Sequence, residues 1–301
     1  MAHPSSDQQP SVRRSAPARN PVGAHVPVAG GLARTGLAYA RRIGAETVQV
    51  FVANPRGWAT HEGWPDQDDA FREQCAADGV RAFVHAPYLI NFGSADAETR
   101  ERSARSLRHS LLRGAAIGAE GVVVHTGSAT GGTTPDQALR QVHEGVMPLL
   151  AELDGLTSGA PKLLLEPTAG QGSSLCSAMP DLAPYLDALE RHPGVGVCLD
   201  TCHAFAAGHD LAAEGGAAAC LEALREAAGP GRLRLVHAND SKGGCGSHLD
   251  RHENIGAGGI GEAPFAALLR HPDTAGVPFV TETPGGEDGH AADVNLLRRA
   301  R

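Results

Sequence analysis

From Val22 onward the chain repeats one rhythm, a short run of Val, Leu, Ile or Phe followed by a stretch with helical spacing. Strands are expected at Val22–Val26, Thr47–Val52, Arg81–Ala86, Gly121–Thr126, Lys162–Glu166, Val195–Asp200, Leu233–Ala238 and Pro278–Thr283. Between them Ala104, Leu107, Leu111 and Ala115 share one helical face, as do Met179, Leu182, Leu186 and Leu189. Alternation of this kind favours parallel βα units. An open doubly wound sheet also fits it, but no expected strand is directly followed by the glycine-rich dinucleotide fingerprint. Eight units in about 280 residues match a closed (β/α)8 barrel. The expectation is a single TIM barrel over residues 22–301. Residues 1–21, rich in Pro, Ser, Gln and Arg without periodicity, read as a disordered tail. The tetrapeptide Ile-Gly-Ala-Glu precedes the second strand at 43–46 and the fourth at 117–120, which reads as one αβ junction used twice.

Several classes are excluded early. No run approaches the ~18 apolar residues of a membrane helix, and the first twenty residues hold no apolar core of a secretory signal. Six cysteines without a C-x-x-C pair suit a reducing cytoplasm. The formal charge of −8 argues against a nucleic-acid partner unless cations bind.

In a barrel of this type the chemistry sits at the C-terminal ends of the strands. Those ends read His85, His125, Glu166, Asp200, His237 and Glu282 on six successive strands. With 15 histidines and 34 acidic residues in 301, such a series arises by chance roughly once in 50,000 trials, or about once in 1,000 with two positions per strand. Taken singly, each has an ordinary explanation as a solvated carboxylate or a core imidazole. Together they are ligands for zinc, manganese or iron on the C-terminal face. His203 follows Asp200 by three residues, where a turn could aim it at a neighbouring ion. The long loop from Ala238 to Gly261 carries Asp250-Arg251-His252, an i, i+2 pair on one side of an extended segment. Cys198 and Cys202 are read as buried small residues rather than ligands. Nine candidates suit three ions. Three divalent cations would bring the formal charge from −8 to near −2, so a phosphate substrate is no longer excluded.

The segments GAHVPVAGGL, NPRGW, HAPYLIN, EPTAGQGS, VGVCLDTCHAFAAGHDL, HANDSK and DRHENIGAGGIG resemble those of endonuclease IV, the zinc-dependent apurinic/apyrimidinic (AP) endonuclease family, from about Val22 to about Pro284. The resemblance implies hydrolysis of the phosphodiester 5′ to abasic sites in double-stranded DNA, with 3′-hydroxyl and 5′-deoxyribose phosphate products, and removal of 3′-blocking groups. It implies three Zn²⁺ ions, with Mn²⁺ as a partial substitute. His85 and His125 would hold the first, and Glu166, the catalytic bridge, would link it to the second. Asp200, His237 and Glu282 would complete the second, and His203, Asp250 and His252 would hold the third. Arg56 and Tyr88 match residues that the family inserts into DNA, and Asn54 and Gln171 lie in matching loops. A monomer is expected. Pro167 stands where some members have asparagine, and His248 stands where a basic residue is expected. A sugar isomerase or epimerase on the same barrel is the alternative, but it leaves His203, Asp250 and His252 without a role.

Overall fold

The computed structural model describes residues 19–156 and 159–301. Its centre is a closed barrel of eight parallel strands: β1 (Val22–His25), β2 (Thr47–Phe51), β3 (Arg81–His85), β4 (Gly121–His125), β5 (Lys162–Glu166), β6 (Val195–Asp200), β7 (Leu233–His237) and β8 (Phe279–Thr281). Outside them lie α1 (Ala38–Ile43), α2 (Pro65–Asp78), α3 (Ala97–Ala116), α4 (Pro135–Asp154), α5 (Leu182–Ala188), α6 (Thr201–Ala206), α7 (Gly216–Ala228), α8 (Glu262–Arg270) and α9 (Gly286–Ala300). All eight expected strands are present, shortened by up to three residues.

Two apolar layers account for the architecture. Leu107 and Leu111 on α3 are buried, as are Leu182 and Leu186 on α5, in the core between the helices and the barrel. Inside the barrel, Phe83, Val123, Leu164, Cys198, Leu235 and Val280 form a separate plug. Gly121 and Gly196 make room for it, since a Cβ on either would lie 2.6 and 2.9 Å from the Leu164 side chain. The repeated junction is also real. Gly44 and Gly118 both adopt left-handed backbone (φ 71 and 72°), a conformation that favours glycine. In each copy the next alanine N–H bonds back into the helix and the glutamate N–H reaches a strand carbonyl.

Residues 1–18 of the expected tail lie outside the described residues. The packed unit nevertheless starts before Val22. Asn20 is buried and donates to the Val277 carbonyl at 2.9 Å, and Arg19 pairs with Glu46 at 2.6 Å. These residues carry no apolar periodicity, so only their tertiary partners mark them as ordered. No helix among the described residues is long and apolar enough to cross a membrane.

Candidate metal centre

Strand geometry builds the first part of the site. Successive side chains on a strand alternate faces, so residues i and i+2 point the same way. Each plug residue is followed two positions later by a candidate ligand: Phe83 by His85, Val123 by His125, Leu164 by Glu166, Cys198 by Asp200, Leu235 by His237 and Val280 by Glu282. The ligand layer therefore sits directly on a dry apolar floor at the C-terminal end of the barrel.

Glu166 occupies its centre and is fully buried. Its Oε2 lies 3.2 Å from His85 Nε2 and 3.4 Å from His125 Nε2. Its Oε1 lies 3.0 Å from His237 Nδ1. The two oxygens thus face two different groups of donors. Asp200 and Glu282 join His237 on the second side, at 3.8 and 3.3 Å from its Nδ1.

The imidazoles are oriented from behind. His85 Nδ1 is 2.7 Å from the Ala86 carbonyl, His203 Nδ1 is 3.1 Å from that of Pro167, and His252 Nδ1 is 3.3 Å from that of Glu282. With the proton on Nδ1, each presents an Nε2 lone pair to the site. His237 is reversed, with Nε2 2.8 Å from Gln49 Oε1 and Nδ1 turned inward. The departure at Pro167 leaves this contact in place, because His203 uses the carbonyl, which proline keeps.

A helix N-terminus and a loop build the remainder. Asp200 caps α6, its Oδ1 accepting the His203 N–H at 2.8 Å, which turns His203 back over the rim. Asp250 Oδ1 lies 3.4 Å from His203 Nε2 and 3.2 Å from His252 Nε2. The 238–261 loop that delivers Asp250 and His252 is anchored by Asp240. This buried carboxylate accepts from the backbone N–H groups of Ser241, Gly256, Gly258, Ile260 and Gly261 at 2.8–3.2 Å. The Cys202 sulfur is buried within 4.8 Å of Asp250 and His252 ligand atoms, and burial pushes its thiol up to about 12. Cys198 belongs to the barrel plug.

The electrostatics call for cations. Burial disfavours the charged form of His203, yet Asp200, Asp250 and Glu166 outweigh it and push its pKa up to about 10. Burial likewise opposes a charged His252, but Asp200, Asp250 and Glu282 push it up to about 9. Burial would raise the Glu166 carboxyl, and the surrounding His237 and His125 hold it well below the usual range instead. The His252 Nε2 atom is buried without a hydrogen-bond partner. Three close carboxylates, inward-facing imidazole nitrogens and an orphaned buried nitrogen fit divalent metal ions.

All nine expected ligand positions are brought to one rim. Sequence reasoning missed His25, Gln49 and Asn239. Gln49 Nε2 donates to Glu282 Oε1 at 2.7 Å, His25 Nδ1 lies 3.5 Å from the same oxygen, and Asn239 Nδ2 donates to Asp200 Oδ2 at 2.7 Å. His25 and Gln49 are partners in the β1–β2 pairing, and Gln49 lies two residues before the end of its strand, level with Phe83, so a reading of strand ends passes over it. The loops that carry Arg56 and Tyr88 meet where the Tyr88 N–H donates to the Pro55 carbonyl at 3.0 Å. Tyr88 is 43% exposed, and its ring centroid lies 5.2 and 5.4 Å from those of His85 and His125. Asn54 accepts the Arg56 N–H at 2.9 Å, and Gln171 is exposed. His248 ties two loops together, its Nδ1 3.1 Å from the Ala169 carbonyl and its N–H 2.9 Å from that of Ala206.

Fold and site together define a metal-site barrel of the xylose isomerase-like class, and the family model described as "Xylose isomerase-like TIM barrel" matches residues 37–300. Within that class the chain is 65% identical over 283 residues to a probable endonuclease 4 of Streptomyces coelicolor, covering 94% of this chain and 96% of the relative. The crystal structure of endonuclease IV from Thermus thermophilus is similar with a TM-score of 0.81 at 36% identity, covering 93% of this chain and 98% of that one. The chain belongs to the endonuclease IV family. A D-tagatose 3-epimerase-like protein is also similar, with a TM-score of 0.68 at 17% identity over 93% of this chain and 96% of that one, a likeness of fold alone.

Proposed function

We propose that the chain is a DNA-repair endonuclease that hydrolyses the phosphodiester 5′ to abasic sites, with three zinc ions held by the nine rim residues and manganese able to replace some of them. The single observation that carries this reading is the division of Glu166, whose two oxygens face separate donor groups, as a bridging carboxylate requires. His85 and His125 would share the first ion with Glu166. Asp200, His237 and Glu282 would complete the second, and His203, Asp250 and His252 would hold the third. Bound there, the ions supply Lewis-acid charge at phosphorus and a water nucleophile ionised near neutral pH.

The chain's own residues do the rest. Gln49 and Asn239 lock His237 and Asp200 in their ligating orientations. Arg56 and Tyr88 reach the DNA beside an extruded abasic nucleotide, which is cheap to flip because it has lost its pairing and stacking. Hydrolysis of this kind needs no lysine Schiff base, and the chain has only two lysines. Lys162 Nζ donates to the Pro193 carbonyl at the far end of β5, and Lys242 pairs with Glu253 at 3.5 Å. Removal of 3′-blocking groups uses the same hydrolysis at a strand end. The enzyme works as a monomer in the cytoplasm. Trp64, Tyr88, Leu89 and Leu249, the exposed large hydrophobic residues among the described ones, all lie in loops on the catalytic face.

Elemental analysis paired with cleavage of an abasic duplex tests the reading. Close to three ions per chain and a nick leaving 3′-hydroxyl and 5′-deoxyribose phosphate are expected. A single ion in fully loaded protein, with no nick, would favour the sugar isomerase.

A further inference from the structure

A cavity of about 620 Å³ opens on the catalytic face between the β1–α1 and β2–α2 segments. This is the size of a small-molecule site. It shares a wall with the metal centre: Phe51 lines it, and the Phe51 ring packs 4.3 Å from His25 and 5.7 Å from both His85 and Tyr88. Trp64, which also lines the cavity, is the most exposed large hydrophobic residue described, at 69%. It precedes α2 and makes no side-chain cap bond there, so the helix does not explain its presence.

The polar lining selects among ligands. Asp68 and Arg113 form a buried bidentate pair at 2.6 and 2.8 Å. Arg34 and Asp66 add one charge of each sign, leaving the lining formally neutral. A phosphate finds no net attraction in it. The Arg113 Nε is buried without a partner, a donor still to be satisfied. His61 Nδ1 accepts the Gly63 N–H at 3.0 Å, which leaves its Nε2 for another group. An indole face beside unspent hydrogen-bonding groups in a neutral cavity matches a flat, uncharged heteroaromatic ring. Residues 1–18 contain no Phe, Tyr or Trp, and their one aromatic ring, the His3 imidazole, covers less of an indole face than a nucleobase does.

We propose that this cavity receives an unpaired nucleobase of the DNA substrate, stacked on Trp64, an inference that rests on the abasic-site reading above. Extruding an abasic nucleotide provides such a base, either the one opposite the lesion or a neighbour on its 3′ side that has lost a stacking contact. Trp64 is then a specificity residue outside the metal machinery. It adds affinity only when a base is there to be held.

Single-turnover cleavage by the zinc-loaded enzyme, titrated to half-saturation on three duplexes, tests this. One carries a base opposite the lesion, one is abasic on both strands, and one lacks the 3′ flanking base. Trp64→Ala should raise the half-saturating concentration about tenfold on the first duplex, the range of one base–aromatic stack. The effect should vanish on whichever of the other two lacks the captured base, and Trp64→Phe should recover most of the loss. Metal content and melting temperature should stay unchanged. Equal weakening on all three duplexes, no weakening at all, or a lowered melting temperature accounting for the loss would overturn the proposal while leaving the endonuclease reading intact. Absence of cleavage by the unmodified enzyme would instead overturn that reading.

Discussion

The two halves of the metal centre are built differently. His85, His125, Glu166, Asp200, His237 and Glu282 stand at strand ends above an apolar plug, where neighbouring strands hold the backbone. Asp250 and His252 arrive on a long excursion held by a two-residue antiparallel ladder, Asp240–Ser241 against His252–Glu253, and by one buried carboxylate, Asp240. They meet His203 only at the first turn of α6. A strand-borne ligand moves only if the barrel deforms. A loop-borne ligand moves if a few hydrogen bonds fail. The first kind suits groups that must keep a fixed separation, and the second allows one part of the site to be lost alone.

The largest effect should fall on the strand-borne half. Glu166→Gln removes the one charge shared by both inner donor groups, so turnover should drop by about a thousandfold or more. The His203, Asp250 and His252 group should keep its ion, since only one of its members touches Glu166. Elemental analysis and single-turnover kinetics check this, and near-normal turnover would contradict the bridge.

Asp240→Asn comes next and probes the loop-borne half. It removes the charge that gathers five N–H groups, and activity should fall about 10- to 100-fold, as for other residues that support ligands from behind. One ion of three should go, and exchange of the Gly256, Gly258, Ile260 and Gly261 amides should quicken. Loss of an inner ion first would erase the distinction between the halves.

Replacing Arg56 and Tyr88 together by Ala touches neither half. Binding to abasic duplex should weaken about tenfold or more, with the full complement of ions retained. The loss should shrink on a duplex already nicked beside the lesion, which bends with less unstacking. Equal weakening on undamaged DNA would mark both as general phosphate contacts.

The smallest effect concerns pH and metal-free protein. His203 and His252, raised to about 10 and about 9, contribute stability that is full below the unfolded pKa near 6.5. It is lost as pH rises through the folded values. Asp250, held below its usual range by His203 and His252 against the opposing effect of burial, contributes above about pH 4 and loses that contribution on acidification. Chelated protein should therefore melt several degrees lower at pH 10 than at pH 6.5, and loaded protein should not, because its imidazoles are already neutral. A chelated melting temperature that is flat over this range would mean that cations other than imidazolium balance the carboxylates.

Some of this was settled along the chain itself. A two-residue repeat links each plug residue to the ligand above it, and a helical repeat buries Leu107 and Leu111. Both are local geometry, so six ligands, the barrel and the paired Ile-Gly-Ala-Glu junctions could be read from spacing alone. His25 stands one residue before the end of its expected strand, just as His85 does. It was passed over because its strand lies outside the run of six that carries the series, whereas Gln49 lies inside its strand rather than at the end. Other features had no local cause. Arg19 and Asn20 pack through Glu46 and Val277, the Asp240 clamp joins residues up to 21 positions apart, and Tyr88 meets the Arg56 loop through the Pro55 carbonyl. The cavity beside Trp64 exists because two loops and the Asp68–Arg113 pair from separate helices converge there. Periodicity is a property of neighbours in sequence, so it determines which side chains share a face. It carries no information on where loops close, and those contacts belong to the folded chain.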